Sequence, residues 1–287
     1  MSVVQPAKFD WYQATIYVSD PFESGLADLL TATWELSDFA QAKAMHGYTY
    51  GAEVRRGDSV LCRVWWGGNP GVHVTSSSVE APTLAAALKR FGKMTAISRV
   101  DSCVDWDEEG LFDSLAAHMI EFAQARRISI NQQGDWARGE GRTLYLGSTQ
   151  SAIQICLYEK GFEQGGVMAG VSLDWVRMEV RLRPTKEARL DVSQWGPDDV
   201  FTAGWVGDLL GVLGWEKLKH QAVGTVWRPS DKDRARIAFL AQYGKTIEAW
   251  AIEAGGWDSF GVVLGDALSE HRQRIADRSG SQATEKA

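Results

Sequence analysis

The chain has 287 residues, of which 45% are hydrophobic and 23% are charged, a composition typical of a folded protein with a sizeable core. Its formal net charge of −7 argues against nucleic-acid binding through overall charge, although a local basic patch can override net charge. The sequence contains no apolar run of ~18 residues, no signal-peptide pattern and no cysteine framework, so we expect a cytoplasmic protein without membrane contact.

Strand and helix patterns alternate in the first part of the chain. Residues 9–17 predict a strand, and Asp20 begins a predicted helix that runs to about Trp34. Further strands are expected near 47–55, 58–66 and 71–77. Residues 81–92 then predict a short helix that ends at Gly92.

A similar order of elements recurs further along the chain. A predicted strand carries Asp101 and Asp105, and an amphipathic helix follows over about 110–127. Three more strands are expected near 142–147, 151–160 and 174–183. The recurrence hints at two β-α-β-β-β halves, although the short match between Gly25–Asp28 and Gly110–Asp113 is as easily a coincidence. We predict an α+β fold with a mixed, largely antiparallel sheet, helices packed on it and a helical C-terminal region.

The pattern changes after Pro184, where helical spacing replaces strand alternation. Helices are expected at about 197–213, 230–254 and 258–278. The polar tail after residue 278 is predicted to be disordered. The sequence therefore predicts three regions, a sheet domain over 1–192, a helical region over 193–278 and a tail over 279–287.

Two of the predicted strands carry polar residues at alternate positions. In one strand these residues are Gln154, Cys156, Tyr158 and Lys160, and in the other they are Arg177, Glu179, Arg181 and Arg183. Alternate side chains point to one face of a sheet, so neighbouring strands would bring a tyrosine, a lysine, a carboxylate and guanidiniums together. A nucleophilic hydroxyl beside acid and base groups is what phosphodiester transfer to tyrosine requires.

Three segments resemble a known family, the replication initiation factors of rolling-circle plasmids and phages. They are RVDSCVD (99–105), TLYLGSTQSAIQICLYEKGFEQ (143–164) and WVRMEVRLR (175–183), and they follow one another at family-like spacing. This family, of the Rep_trans type, includes related conjugative relaxases. A weaker match at Phe9–Trp11 extends the resemblance over about residues 9–190.

The resemblance implies that residues 1–192 form a nicking domain. Such an enzyme, a metal-dependent nicking-closing endonuclease, cuts one strand of origin DNA by tyrosine transesterification. The reaction leaves a 5′-phosphotyrosyl link and a free 3′-OH. Two alternatives stay open, namely a conjugative relaxase with the same chemistry and a catalytically inactive DNA-binding or regulatory relative, which the acidic net charge keeps open.

The resemblance also assigns candidate catalytic residues. Tyr158 aligns with the family's tyrosine, Lys160 would stabilise the phenolate or the scissile phosphate, and Glu159 lies between them. Tyr145, on the preceding strand, is the rival nucleophile. Half-buried strand tyrosines without a catalytic role are the plainer interpretation of both residues.

A hard cation, Mg²⁺ or Mn²⁺, is the expected cofactor, because the family resembled here uses carboxylate ligands. None of the five histidines lies two residues from another, so a close histidine pair is absent from the sequence. The candidate ligands are Asp101, Asp105 and Glu179, with Glu159 as a fourth. The alternative for Asp101 is a structural salt bridge to Arg99 or Arg177.

The expected partner is origin DNA, double-stranded and locally melted. The candidate contacts to its phosphates are Arg142, Arg177, Arg181 and Arg183, unless these are ordinary solvated charges. The family resemblance also implies a host helicase, a polymerase and a homodimer, for which apolar helices near 200–213 and 258–268 are candidate interface material.

Overall fold

The computed structural model describes residues 6–213 and 231–284, which divide into two compact units, Met1–Val226 and Trp227–Ala287. The division falls later than the boundary predicted near residue 193. The reason is that the segment after Leu182 packs on the sheet. Arg189 Nε donates a hydrogen bond to the Ile97 carbonyl at 2.9 Å, and Ser102 Oγ donates one to the Pro197 carbonyl at 2.9 Å.

The first unit contains one sheet of ten described strands, paired in the order β2-β3-β4-β5-β1-β6-β10-β9-β8-β7. The strands are β1 (Lys8–Ile16), β2 (Asp38–Gln41), β3 (Tyr50–Arg56), β4 (Ser59–Trp66), β5 (Val72–Ser77), β6 (Thr95–Asp107), β7 (Ile130–Asp135), β8 (Glu140–Leu146), β9 (Ile153–Glu159) and β10 (Trp175–Leu182). Every pairing among them is antiparallel rather than mixed. The α+β class is confirmed.

Seven described helices belong to the first unit and two to the second. They are α1 (Leu26–Thr33), α2 (Ala81–Leu88), α3 (Leu111–Ala125), α4 (Lys160–Glu163), α5 (Ala188–Asp191), α6 (Pro197–Val200), α7 (Trp205–Val212), α8 (Asp231–Glu253) and α9 (Trp257–Thr284). Helix α9 continues past residue 278, so most of the tail predicted to be disordered is helical, and 285–287 lie outside the described residues. None of the described helices is long and apolar enough to cross a membrane.

The sheet consists of two halves with the same topology. In the first half, β1 is followed by α1 and then by β2 to β5, and in the second half, β6 is followed by α3 and then by β7 to β10. The two halves meet where β1 pairs with β6, and each ends at its second strand, β2 or β7. The duplication is therefore β-α-β-β-β-β. Sequence patterns missed β2 and β7 because short edge strands with exposed residues lack a clear apolar alternation.

The core lies on one side of the sheet, beneath the helices. Met119 and Phe122 of α3 pack in a cluster with Leu144, Ile155 and Leu157 of the second half. Each such fully buried aliphatic side chain stabilises the fold by roughly 1.5–3 kcal/mol. Since strand residues alternate, the polar residues of β6, β9 and β10 lie on the opposite face.

Candidate functional site

The strand register brings the predicted polar residues onto one face. Arg177 of β10 lies opposite Tyr158 of β9 on one side and opposite Asp105 of β6 on the other. Arg181 likewise lies between Gln154 and Asp101. A cleft of about 880 Å³ opens on this face, and its lining includes Asp10, Trp11, Arg99, Asp101, Tyr145, Cys156, Tyr158, Lys160, Arg177, Glu179 and Arg181.

Tyr158 is half-buried in this cleft and has a carboxylate as its hydrogen-bond acceptor. Its hydroxyl donates to Glu179 Oε1 at 2.7 Å. The Lys160 ammonium lies 5.4 Å from the centre of the tyrosine ring and pairs with Glu163. Burial and the negative charge of Glu179 raise the pKa of Tyr158 above its ordinary value of 10. The phenol is therefore protonated at neutral pH, and Glu179 is placed to accept its proton.

Glu179 and Asp101 are linked to one another through arginines. The second oxygen of Glu179 accepts hydrogen bonds from Arg181 Nη2 at 2.8 Å and Nε at 3.2 Å. Arg181 Nε also lies 3.8 Å from Asp101. Asp101 accepts a fork of two bonds from Arg99, at 2.9 and 2.5 Å. Asp101 thus forms the salt bridge to Arg99 that was the alternative to metal binding, and burial raises its pKa despite this partner.

Both carboxylate oxygens of Asp105 have cationic partners. Arg177 donates to it through Nε at 2.6 Å and Nη2 at 2.9 Å, and Trp175 Nε1 donates at 3.0 Å. The Lys8 ammonium lies 3.1 Å from Asp105 Oδ2. Burial would raise the pKa of Asp105, but the hydrogen bonds and charge of Arg177, with Trp175 and Lys8, bring it below the ordinary value of 3.8.

The predicted ligand set of Asp101, Asp105 and Glu179 does not fit a cation in this arrangement. No group of three or more Asp, Glu, His or Cys side chains in the described part of the chain could hold a metal ion. The physical reason is that guanidinium groups already take the carboxylate oxygens, above all those of Asp105. We therefore derive no step of the reaction through a metal.

Asp10 is the cleft residue that the sequence analysis did not assign. It lies at an irregularity of β1, between Phe9 and Trp11, where the register with β6 shifts. Its carboxylate accepts a bond from Arg177 Nη1 at 3.1 Å, and burial together with Glu179 raises its pKa. The signal that could have found it was the weak family match at Phe9–Trp11.

Arg142 and Glu159 hold one another, and neither extends freely into the cleft. Both oxygens of Glu159 accept from Arg142, one from its backbone N–H at 2.7 Å and one from Nη2 at 2.8 Å. The same guanidinium donates to Asp113 of α3 at 2.6 Å and lies 4.4 Å from the Phe112 ring centre. Arg142 therefore fastens α3 to β8 and β9, and this geometry disfavours the predicted phosphate contact at Arg142 and the catalytic or ligand role of Glu159.

The other three arginines predicted to contact DNA differ in how far their charges are already paired with carboxylates. Arg177 is buried and shared between Asp105 and Asp10, so its charge is already neutralised. Arg181 is partly exposed in the cleft. Arg183 has a buried Nη1 with no hydrogen-bond partner among the described residues, and burial and the charge of Arg99 lower its pKa. Arg181, although paired with Glu179 and Asp101, is more exposed than Arg177, and Arg183 shows no ion pair within the described residues.

Comparisons with known proteins bear on the segment that holds these residues. Residues 94–195 match the replication initiation factor family. The resemblance to this family predicted from the three motifs is confirmed. The solved structure of a rolling circle replication initiator protein from Geobacillus stearothermophilus aligns with 83% of this chain and 96% of its own, at 19% identity and a TM-score of 0.45. No curated protein gives a significant sequence match.

Proposed function

We propose that this chain is a rolling-circle replication initiator that nicks one strand of origin DNA with Tyr158 as the nucleophile. The observation that carries this proposal is the bond from the Tyr158 hydroxyl to Glu179 in an open cleft, inside the segment that matches replication initiation factors. Tyr145, the rival, lies in the same cleft, but its side-chain hydrogen-bond partner is Cys156 rather than a carboxylate.

The proposed reaction is an in-line displacement at one phosphate. The Tyr158 oxygen bonds to phosphorus while its proton passes to Glu179, and the bond from phosphorus to the 3′-oxygen breaks. The products are a 5′-phosphotyrosyl link and a 3′-oxygen that takes a proton from solvent. Because burial disfavours the free phenolate, the acceptor at 2.7 Å is what makes Tyr158 reactive. Arg181 donates to the second oxygen of Glu179 and leaves part of its own charge for the phosphate.

Arginines and carboxylates balance one another in the cleft, which sets the expected affinity for DNA. Among the described residues that line it, five are cationic and six are carboxylates. Phosphate binding by free cations releases counterions and makes affinity steeply salt-dependent. We therefore expect the cleft to contribute little to the salt dependence of DNA affinity. Arg181 and Arg183 should supply most of the contribution that remains.

Two other functions remain as alternatives. A conjugative relaxase would use the same residues and the same chemistry. A catalytically inactive relative stays open, because the net charge of −7 and the neutralised arginines leave few free cations for DNA phosphates. The origin DNA, the host helicase and polymerase, the homodimer and the cytoplasmic location stay predictions.

The test of the nucleophile uses supercoiled plasmid that carries the protein's own locus, incubated with Mn²⁺. Wild-type protein is expected to yield a nicked circle with protein covalently attached. Tyr158→Phe removes only the hydroxyl oxygen, so it should bind DNA and form no adduct, with a loss of at least about 10³-fold. Tyr145→Phe is the matched control and should nick at the wild-type rate within about twofold. An adduct formed by Tyr158→Phe would show that the assignment is wrong.

The divalent cation is tested separately, by calorimetry with Mn²⁺ alone. Mg²⁺ or Mn²⁺ remains a prediction from the family resemblance, and it can bind Asp101 and Glu179 only if Arg99 and Arg181 release these hard oxygen ligands. Glu179→Ala and Asp101→Ala should then weaken Mn²⁺ binding, whereas Asp105→Ala should not, since its oxygens are held by Arg177. Equal affinity in the wild type and in the first two variants would remove both residues from the ligand set.

A further inference from the structure

The charge balance of the cleft calls for a source of DNA affinity other than phosphate contacts. Among the described residues that line the cleft, carboxylates outnumber cationic side chains. Arg177 and Arg99 are already bonded to Asp105 and Asp101. Phosphate contacts depend on free cations, whereas the stacking of a base on an aromatic side chain does not. A DNA strand in this cleft is therefore expected to gain part of its affinity through its bases.

Trp11 is the one tryptophan among the described residues that line the cleft. It belongs to a row of side chains that lie opposite one another across five neighbouring strands, namely Ser77, Trp11, Asp101, Arg181 and Gln154. Tyr158 belongs to a parallel row four residues away on β9, which is about 13 Å along the strand direction. A DNA strand that passes Tyr158 can therefore reach Trp11 within a few nucleotides.

The indole ring of Trp11 is held by a chain of hydrogen bonds that begins in the first half of the sheet. Trp11 Nε1 donates to Gln13 Oε1 at 3.2 Å, and Gln13 Nε2 lies 3.0 Å from His73 Nε2. Because the Gln13 oxygen already accepts a bond, its Nε2 donates to His73, whose Nδ1 then donates to Thr15 Oγ1 at 3.1 Å. A ring fixed in this way loses little conformational entropy when a base stacks on it.

Arg99 lies over the Trp11 ring and adds a second planar surface. Its guanidinium carbon is 4.8 Å from the ring centre. Asp101 accepts two of its hydrogen bonds as a fork, so the charge of Arg99 is paired while the faces of its plane take no part in those bonds. Both side chains line the cleft. Because bases stack on aromatic rings and on guanidinium planes, the pair is a suitable platform for a base.

We propose that Trp11 and Arg99 form a subsite for one unpaired base of the strand that Tyr158 cuts. The inference rests on the proposed nicking function for the identity of that strand. It adds that the DNA is single-stranded at this point, because a base inside a duplex is stacked between its neighbours and must leave the stack to reach a protein surface. Every base has a π-face, so the subsite recognises an unpaired base and not a particular sequence.

Binding of two labelled oligonucleotides tests the subsite without any need for nicking. One is an oligothymidylate of about 12 nucleotides, and the other is an abasic strand of the same length, so the two carry the same phosphates and differ in their bases. The wild-type protein should bind the oligothymidylate at least about 5-fold more tightly, which is the lower limit for one stacked base. Fluorescence anisotropy at low salt measures both affinities. Equal affinity for the two strands would overturn the proposal.

Two substitutions of Trp11 separate stacking from packing. Trp11→Phe keeps an aromatic face, whereas Trp11→Leu keeps only apolar bulk. The phenylalanine variant should retain most of the preference for oligothymidylate. The leucine variant should bind it at least about 5-fold more weakly, with unchanged affinity for the abasic strand. Neither change removes a charge, so the salt dependence of binding should stay the same. Equal oligothymidylate affinities of the two variants would assign Trp11 to packing alone and refute the subsite.

A substitution of Arg99 and a matched control complete the set. Arg99→Lys keeps the cation but loses the planar surface, so it should weaken oligothymidylate binding selectively as well. The control is Trp257→Leu, which removes a tryptophan of α9 that is 62% exposed and outside the cleft, and it should bind both strands like the wild type. A loss in the control as large as that in Trp11→Leu would show that the stacking is not a property of the cleft and would overturn the proposal.

The subsite and the nicking function can fail independently of one another. The oligonucleotide measurements are repeated in Tyr158→Phe, which cannot form the covalent adduct. A base preference that depends on Trp11, in a protein that does not nick plasmid, would support the subsite and contradict the proposed function. Normal nicking by a protein whose oligonucleotide binding ignores the Trp11 substitutions would refute the subsite alone.

Discussion

The two halves of the sheet have the same topology, but the same face is open in the second half and covered in the first. In the second half, the face carries Tyr158 and Glu179 and opens into the cleft. In the first half, the corresponding face carries Thr15, Trp65 and His73, which pair across β1, β4 and β5. The two faces lie on one side of the sheet, because Trp11 of β1 lies opposite Asp101 of β6.

The difference comes from one connection in each half. Residues 42–49, between β2 and β3, fold over the first face. Tyr48 stacks on His73 with ring centres 5.9 Å apart, and Trp65 Nε1 donates to the Lys43 carbonyl at 3.2 Å. The corresponding connection in the second half is only residues 136–139, which leaves the face open. The repeated fold thus has an open polar cleft where the shorter connection leaves the strand residues accessible.

The largest expected effect concerns the proton acceptor of the open face. Glu179→Gln keeps the size of the side chain but cannot take the Tyr158 proton, so nicking should fall by about 10²–10⁴-fold while oligonucleotide binding persists. Single-turnover nicking and fluorescence anisotropy measure the two properties. The control in the first half is Glu53→Gln, since Glu53 pairs with Arg63 outside the cleft and its loss should not alter the rate. Equal losses in both variants would contradict the distinction between the halves.

The next largest effect concerns the free energy of unfolding and a residue of the second half, whose face is open. Asp105→Asn leaves the buried Arg177 with Asp10 as its remaining carboxylate partner, and we expect unfolding free energy to drop by about 3–5 kcal/mol. The folded pKa of Asp105 is depressed, so its contribution is present above pH 3.8 and is lost as pH falls through the lower folded value. Urea unfolding of both proteins should therefore converge below pH 3.8. A constant difference at all pH values would assign the loss to packing instead.

The smallest expected effect is a pH dependence of stability that arises in the first half, whose face is covered. Burial, followed by the charges of His46 and Arg189, lowers the pKa of His73 to about 4 from an ordinary 6.5. The unfolded chain therefore binds a proton that the folded chain does not, and stability should fall by up to about 3 kcal/mol as pH drops from 6.5 to 4. His73→Gln should flatten that part of the urea-unfolding profile. An unchanged slope would show that His73 titrates normally.

Local patterns were sufficient for much of the site. Alternation along β9 and β10 predicted that Tyr158, Arg177 and Glu179 share a face, and the register confirms this placement. The three motifs predicted the family that matches residues 94–195. Both successes depend on residues close in sequence or on strands adjacent in the chain. The catalytic and DNA-binding roles of these residues remain predictions.

Tertiary structure decided which charges are free to act. The sequence treated Asp105, Arg142 and Arg177 as independent functional groups, whereas the fold pairs each with a partner on another element. Asp10 reaches the cleft only because β1 lies beside β6 at the centre of the sheet, more than ninety residues away in sequence. Strand alternation follows from local backbone geometry, but ion pairing depends on which strands become neighbours, and long-range packing alone determines that order.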